Sequence, residues 1–181
     1  MHVKATAVRS AIAGVERLFG PEAWMRVRAA LPAGVAAELD RPLIPTRMIP
    51  IHLSAALHET IREVLGAGDL DVNRRVGVEA ARTDFGGVYS IFLRVADYET
   101  TLRRLERAWR QYNSQGTLTW VTLTRDCARV VTEGTAGYTE PMWYATTGRV
   151  EGILRLAGAT AVDVRVLETS PAHCIADFRW R

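Results

Sequence analysis

The stretch Leu118-Thr119-Trp120-Val121-Thr122-Leu123, the turn Thr124-Arg125-Asp126, and the return from Ala128 to Glu133 decide how this chain is read. Leu118, Trp120, Val121 and Leu123 form a strand. A polar three-residue turn and a second strand follow, which is the pattern of a β-hairpin. The same signal returns at the end of the chain. Val162, Val164, Val166 and Glu168 alternate with the residues between them, Ser170-Pro171 turns the chain, and Cys174, Ala176, Phe178 and Trp180 alternate again. Between the two hairpins, Pro141 to Ala157 reads as a helix, with Trp143, Val150, Ile153 and Leu154 inside and Gly158 at its end. The C-terminal third is therefore hairpin, helix, hairpin.

Upstream the period changes to helical. Val8, Ile12, Val15 and Phe19 form one apolar stripe, stopped by Gly20, and Pro21 opens a short helix that ends at Pro32. Pro42, Pro45 and Pro50 exclude a regular helix from 41–50. Leu53, Leu57, Ile61 and Val64 form the stripe of the next helix, closed by Gly66-Ala67-Gly68. Asp69 caps a helix running to about Asp84, and Gly86-Gly87 breaks it. Val88 to Leu93 is a short apolar run, strand or buried helix. Asp97 is the N-cap of a helix whose buried face carries Leu102, Leu105, Trp109 and Tyr112. The expected class is α+β: a helical N-terminal half packed on a small antiparallel sheet. We expect a single domain over 1–181, comprising a helical part (1–41), a proline-rich connector (41–50) and a main α/β body (50–181).

Composition bounds the function. The 181 residues are 48% hydrophobic, ample for one core, and exclude an intrinsically disordered chain. No apolar run reaches the roughly 20 residues of a membrane span. Net charge is only +3, from 23 basic and 20 acidic side chains, so nucleic acid is not the expected partner. Cys127 and Cys174 are too few for a disulfide framework and the N-terminus lacks a secretory apolar segment. A reducing cytoplasm is expected.

No complete catalytic motif is present. His58-Glu59-Thr60-Ile61-Arg62 approaches the zinc-protease helix, but Arg62 stands at the second ligand position. No nucleophile elbow or phosphate-binding glycine loop occurs. Cys127 between Arg125 and Arg129 is the one candidate for a thiol-dependent enzyme, because cations favour the thiolate. Arg103, Arg107 and Arg110 share a helix face opposite Leu102, Leu105 and Trp109. They are candidates for a partner surface, or simply a solvated face offset by Glu99 and Glu106. Tyr89, Trp109, Trp120 and Tyr144 sit on elements that pack helix against sheet. They are candidates to line an apolar ligand cavity, or to fill the core.

Several local signatures resemble a family of uncharacterised proteins expanded in myxobacteria: Pro42-Leu43-Ile44-Pro45 with Ile49-Pro50, Gly86-Gly87-Val88-Tyr89, Trp109-Arg110-Gln111-Tyr112, Val150-Glu151-Gly152, Leu156-Ala157-Gly158-Ala159 and Asp177-Phe178-Arg179-Trp180. That family is similar to a broader fold containing the 4-vinyl reductase domain of aromatic-sensing regulators, the haem-nitric oxide sensor domain and subunits of the transport protein particle. The resemblance implies a sensing or adaptor domain, not an enzyme, that binds a small apolar ligand or a partner protein and forms a homodimer. The zinc site of the aromatic sensors does not carry over. The glutamate Glu168 is followed three residues on by Pro171, and only Cys174 remains. The haem sensors' Tyr-x-Ser-x-Arg pattern is incomplete in Tyr112-Asn113-Ser114-Gln115-Gly116, and no histidine stands where a proximal ligand is expected. No cofactor and no metal is therefore expected. The alternative is a purely structural or signalling interaction module.

Overall fold

The computed structural model describes residues 1–86, 93 and 96–181. Strand β1 (His2–Lys4) leads into helices α1 (Ala5–Phe19), α2 (Pro21–Ala30) and α3 (Ala33–Leu39). Strand β2 (Met48–Pro50), α4 (Ile51–Gly66), α5 (Asp71–Phe85) and α6 (Tyr98–Tyr112) follow. Then come the hairpin β3 (Thr117–Leu123) and β4 (Cys127–Glu133), α7 (Glu140–Leu156), and the hairpin β5 (Val162–Thr169) and β6 (His173–Trp180). The two hairpins form one antiparallel sheet in the order β3-β4-β6-β5, and β1 pairs antiparallel with β2 in a separate ribbon. The architecture is α+β.

Alternation in the hairpins produces the layering. Leu118 and Trp120 on β3, Ala128, Val130 and Thr132 on β4, and Cys174, Ala176, Phe178 and Trp180 on β6 are all buried. Register keeps these residues on one face: Trp120 is opposite Val130, and Val130 is opposite Ala176. The other face is polar and carries the Arg129–Asp177 pair, at 2.6 and 2.7 Å. Asp97 caps α6, accepting from the Thr100 backbone N–H at 2.6 Å. Asp69 accepts from the Asp71 N–H at 2.9 Å and so steadies the entry to α5.

Three elements lie outside the periodic reading. β1 and β2 are three residues each, and only Val3 and Ile49 are buried in them, too few for a period to show. The segment read as a connector thus contributes a strand, with Lys4 opposite Met48. Helix α3 buries Leu39 alone and has no stripe. The apolar run Val88 to Leu93 lies outside the described residues except for Leu93.

Helices α5 and α7 cross at backbone distance. A Cβ at Gly77 would collide with the Ala145 carbonyl oxygen, and one at Gly148 with that of Arg74. Glycine is retained there against its helix propensity, because close approach is worth more than the roughly 1 kcal/mol it forfeits to alanine. Gly148→Ala is expected to destabilise the chain by about 2 kcal/mol through overpacking. Its Tm should fall by roughly 4–8 °C in calorimetry. Gly34→Ala, with nothing within 4 Å, should leave Tm unchanged or raise it.

Candidate functional site

A partly open pocket lies where α6 and α7 meet the N-terminal segment. Its volume is about 130 Å3. Apolar side chains make most of its wall: Val3, Leu105, Trp109, Leu118, Met142 and Ile153. The helical stripes of α6 and α7 place these groups, since each turns its apolar face towards the other.

A stack of aromatics closes one side. The Tyr138 and Trp143 rings lie 4.1 Å apart at 22°, and the Trp109 and Trp143 rings are nearly parallel, 9° apart with centroids at 6.4 Å. Trp143 donates its indole N–H to the Ser170 carbonyl at 2.8 Å. The Tyr138 hydroxyl donates to Asn113 Oδ1 at 2.9 Å, and burial pushes its acidity well away from physiological pH, so it keeps its proton. The Trp109 indole N–H is buried with no partner among the described residues.

Polar groups interrupt the apolar wall, His58, Asp84 and Arg149 among them. His58, 6% exposed, places Nδ1 2.9 Å from Asn73 Oδ1. With a carbonyl oxygen facing it, Nδ1 carries the proton and Nε2 is left as an acceptor. Burial pulls this imidazole down to about 4. The Asn73 hydrogen bond opposes the shift, and the Arg149 charge reinforces it. Arg149 donates to Asp84 at 2.6 Å, to the Ala7 carbonyl at 2.7 Å and to Ser10 Oγ at 2.8 Å. These contacts tie α1, α5 and α7 together and neutralise both charges at the cavity wall. The lining is therefore electrically neutral at pH 7 and offers no counter-charge to an ionic ligand.

The residues singled out in the sequence separate in space. Trp109 lines the cavity. Trp120 lies elsewhere in the core, donating to the Leu102 carbonyl at 2.8 Å with its ring edge-on to Phe178. Tyr144 is half-buried on α7, away from the cavity wall, and Tyr89 lies outside the described residues. Arg103 is paired with Glu99 at 2.9 Å, whereas Arg107 and Arg110 form no ion pair among the described residues. Cys127 opens β4 with Sγ 3.1 Å from Thr124 Oγ1, and burial pushes the Cys174 thiol up to about 12. Asn73, Tyr138 and Arg149 had no motif to announce them, and His58 and Asn113 stood only in patterns that are incomplete. The one available signal was Arg149, a lone cation among Val150, Ile153 and Leu154.

No protein-family model matches the chain, and no curated protein matches it. Solved structures do. An oxygen-binding H-NOX domain related to soluble guanylate cyclases, in its oxygen complex, superposes with a TM-score of 0.70 at 16% identity, covering 98% of this chain and 95% of that one. An unliganded Fe(II) H-NOX protein mutant from K. algicida gives 0.71 at 10% identity, covering 98% and 96%. An H-NOX structure determined to probe haem distortion in that family gives 0.60 at 18% identity, covering 98% and 95%. At these identities the likeness establishes the fold: the chain has the α+β fold of H-NOX domains.

Haem does not fit the residues present. A cavity of about 130 Å3 is well below the roughly 300–1,000 Å3 of pockets that enclose drug-sized ligands, and a haem is larger than those. The space beside α6 and α7 is taken by the Trp109–Tyr138–Trp143 stack. His58 is the only histidine on the wall among the described residues, and although its Nε2 is free, the space it faces is too small for a porphyrin.

The neutrality of His58 has a measurable consequence. Its folded value of about 4 lies below the roughly 6.5 of an unfolded histidine. The stability it contributes is full above pH ~6.5 and falls by about 1.4 kcal/mol per pH unit between ~6.5 and ~4, because the unfolded chain takes up a proton that the folded chain refuses. Urea unfolding at pH 7.5, 6 and 5 should show this slope in the wild type and a shallower one in His58→Gln. Equal slopes would mean that His58 is free to protonate in the folded state.

Proposed function

We propose that this chain is a non-catalytic sensing module whose α6–α7 cavity binds a small apolar ligand without haem and reports occupancy to a protein partner. The observation that carries this reading is the cavity itself: about 130 Å3, apolar-walled and neutral, inside a fold shared with H-NOX domains. A void of this size suits a single small molecule, since an apolar cavity of roughly 150 Å3 in another protein admits benzene or xenon. The Asp84–Arg149–Ser10 contacts support the reporting half, because they join the cavity wall to α1. The reading extends to a homodimer, and to kinship with the 4-vinyl reductase domains, the transport-particle subunits and the myxobacterial family. These extensions rest on the resemblance of the local sequence signatures, Pro42 to Pro50 and Asp177 to Trp180 among them. Arg103, Arg107 and Arg110 are the proposed partner surface. Of the aromatic candidates, Trp109 is proposed as the ligand contact.

A second reading is an interaction module with no ligand, favoured by the two arginines of α6 that lack acidic partners among the described residues. A thiol-dependent enzyme finds less support, since Cys127 contacts a threonine hydroxyl and Cys174 is held as the neutral thiol. No helix among the described residues is long and apolar enough to cross a membrane.

The test is a thermal-shift screen with native mass spectrometry over small uncharged compounds from benzene to indole. A ligand at a hundred times its Kd should add about 2.7 kcal/mol. Val150→Phe, which fills the void, should abolish the shift. If no compound of this size raises Tm, the ligand reading fails.

A further inference from the structure

The four-stranded sheet has two edges, and their chemistry differs. β5, one edge, reads Val162-Asp163-Val164-Arg165-Val166-Leu167-Glu168-Thr169, with charged residues at alternate positions in its first half and Glu168 beyond. Charges on an edge strand discourage pairing with another chain. β3, the other edge, reads Thr117-Leu118-Thr119-Trp120-Val121-Thr122-Leu123 and carries no charge. It pairs with β4 alone among the described residues, so its outer backbone groups have no strand partner there. Threonines at 117 and 119 are exposed and favour extended backbone.

The two halves of β3 are unequal. Register slips between Trp120 and Thr122, a bulge that leaves Val121 56% exposed. A bulge twists an edge away from a would-be partner, so the second half is guarded and the first half is not. A surface groove runs along that unguarded half, formed by Thr117, Leu118 and Thr119 on one side and Arg107, Arg110 and Gln111 of α6 on the other. Glu106 is its single acid. Two arginines against one glutamate leave the groove net positive. Neither arginine has an acidic partner among the described residues, whereas Arg103, one turn earlier, is held by Glu99.

We infer that the groove between α6 and the first half of β3 is a docking site for an extended acidic segment of a partner protein, which adds as a strand to the β3 edge. Main-chain hydrogen bonds along 117–120 supply the affinity, and Arg107 and Arg110 select acidic side chains on the flank. Arginine suits this role because its planar fork meets a carboxylate with two parallel donors. The site is separate from the α6–α7 cavity and does not depend on that cavity holding a ligand.

The probe is a fluorescent heptapeptide of alternating glutamate and valine, titrated against the full chain by anisotropy. Alternating lysine–valine peptide and a thymidine oligonucleotide serve as comparators. Hydrogen exchange should slow in 117–120 on binding, with no change in β5. Arg107→Glu with Arg110→Glu should weaken binding about tenfold or more while leaving Tm unchanged, since both side chains are exposed. Binding should weaken as salt rises. The inference is overturned if the acidic peptide does not bind at millimolar concentration, or if the lysine peptide binds equally well. It is also overturned if the oligonucleotide occupies the arginines in preference, or if sedimentation shows a dimer that buries β3 of each copy. A failed ligand screen leaves this result untouched, so the two readings fail separately.

Discussion

Stacking of Trp109, Tyr138 and Trp143 is the contact on which the rest of the site depends. It joins α6, the segment after β4, and α7 through three rings within 4.1–6.4 Å of one another. Aromatic pairs of this kind contribute about 0.5–1.5 kcal/mol each beyond the area they bury. Their larger effect here is geometric. By standing in the space between the two helices they set how much room remains, and that remainder is a cavity of about 130 Å3. The fold is that of H-NOX domains, and in this chain the three rings stand in the space between α6 and α7.

The polar residues then follow from what a largely apolar, partly buried space tolerates. A charge in it must be paired, and Arg149 and Asp84 are paired with each other. An imidazole in it loses its proton, and His58 does so while Asn73 satisfies its remaining N–H. What results is a neutral chamber with a strong polar link to α1 at one wall. Such a link makes occupancy of the chamber and the position of α1 parts of one packed unit.

The hairpin–helix–hairpin order could be read from the sequence because period-two alternation at Leu118–Trp120 and Cys174–Trp180 reflects a sheet buried on one face. The helices α1, α4, α6 and α7 could be read because their stripes are long. The short strands β1 and β2 could not, since one buried residue each makes no period. The site was legible only at Trp109. Trp120 carries the same chemistry one strand away, yet its side chain faces Phe178 and the Leu102 carbonyl. Pattern places an aromatic in the core but does not say which side of a helix pair it meets. Tyr138 lies in no periodic element at all. His58 and Asn73 are 15 residues apart, on different helices, and only packing brings them to 2.9 Å.

This chain has the H-NOX-type fold, and we propose that it takes up no haem. The most direct measurement is the visible absorbance of the protein purified from haem-replete cells and then titrated with haemin. The account predicts no Soret band on purification and no saturable band on titration. One haem per chain, with a Soret band lost in His58→Gln, would contradict it.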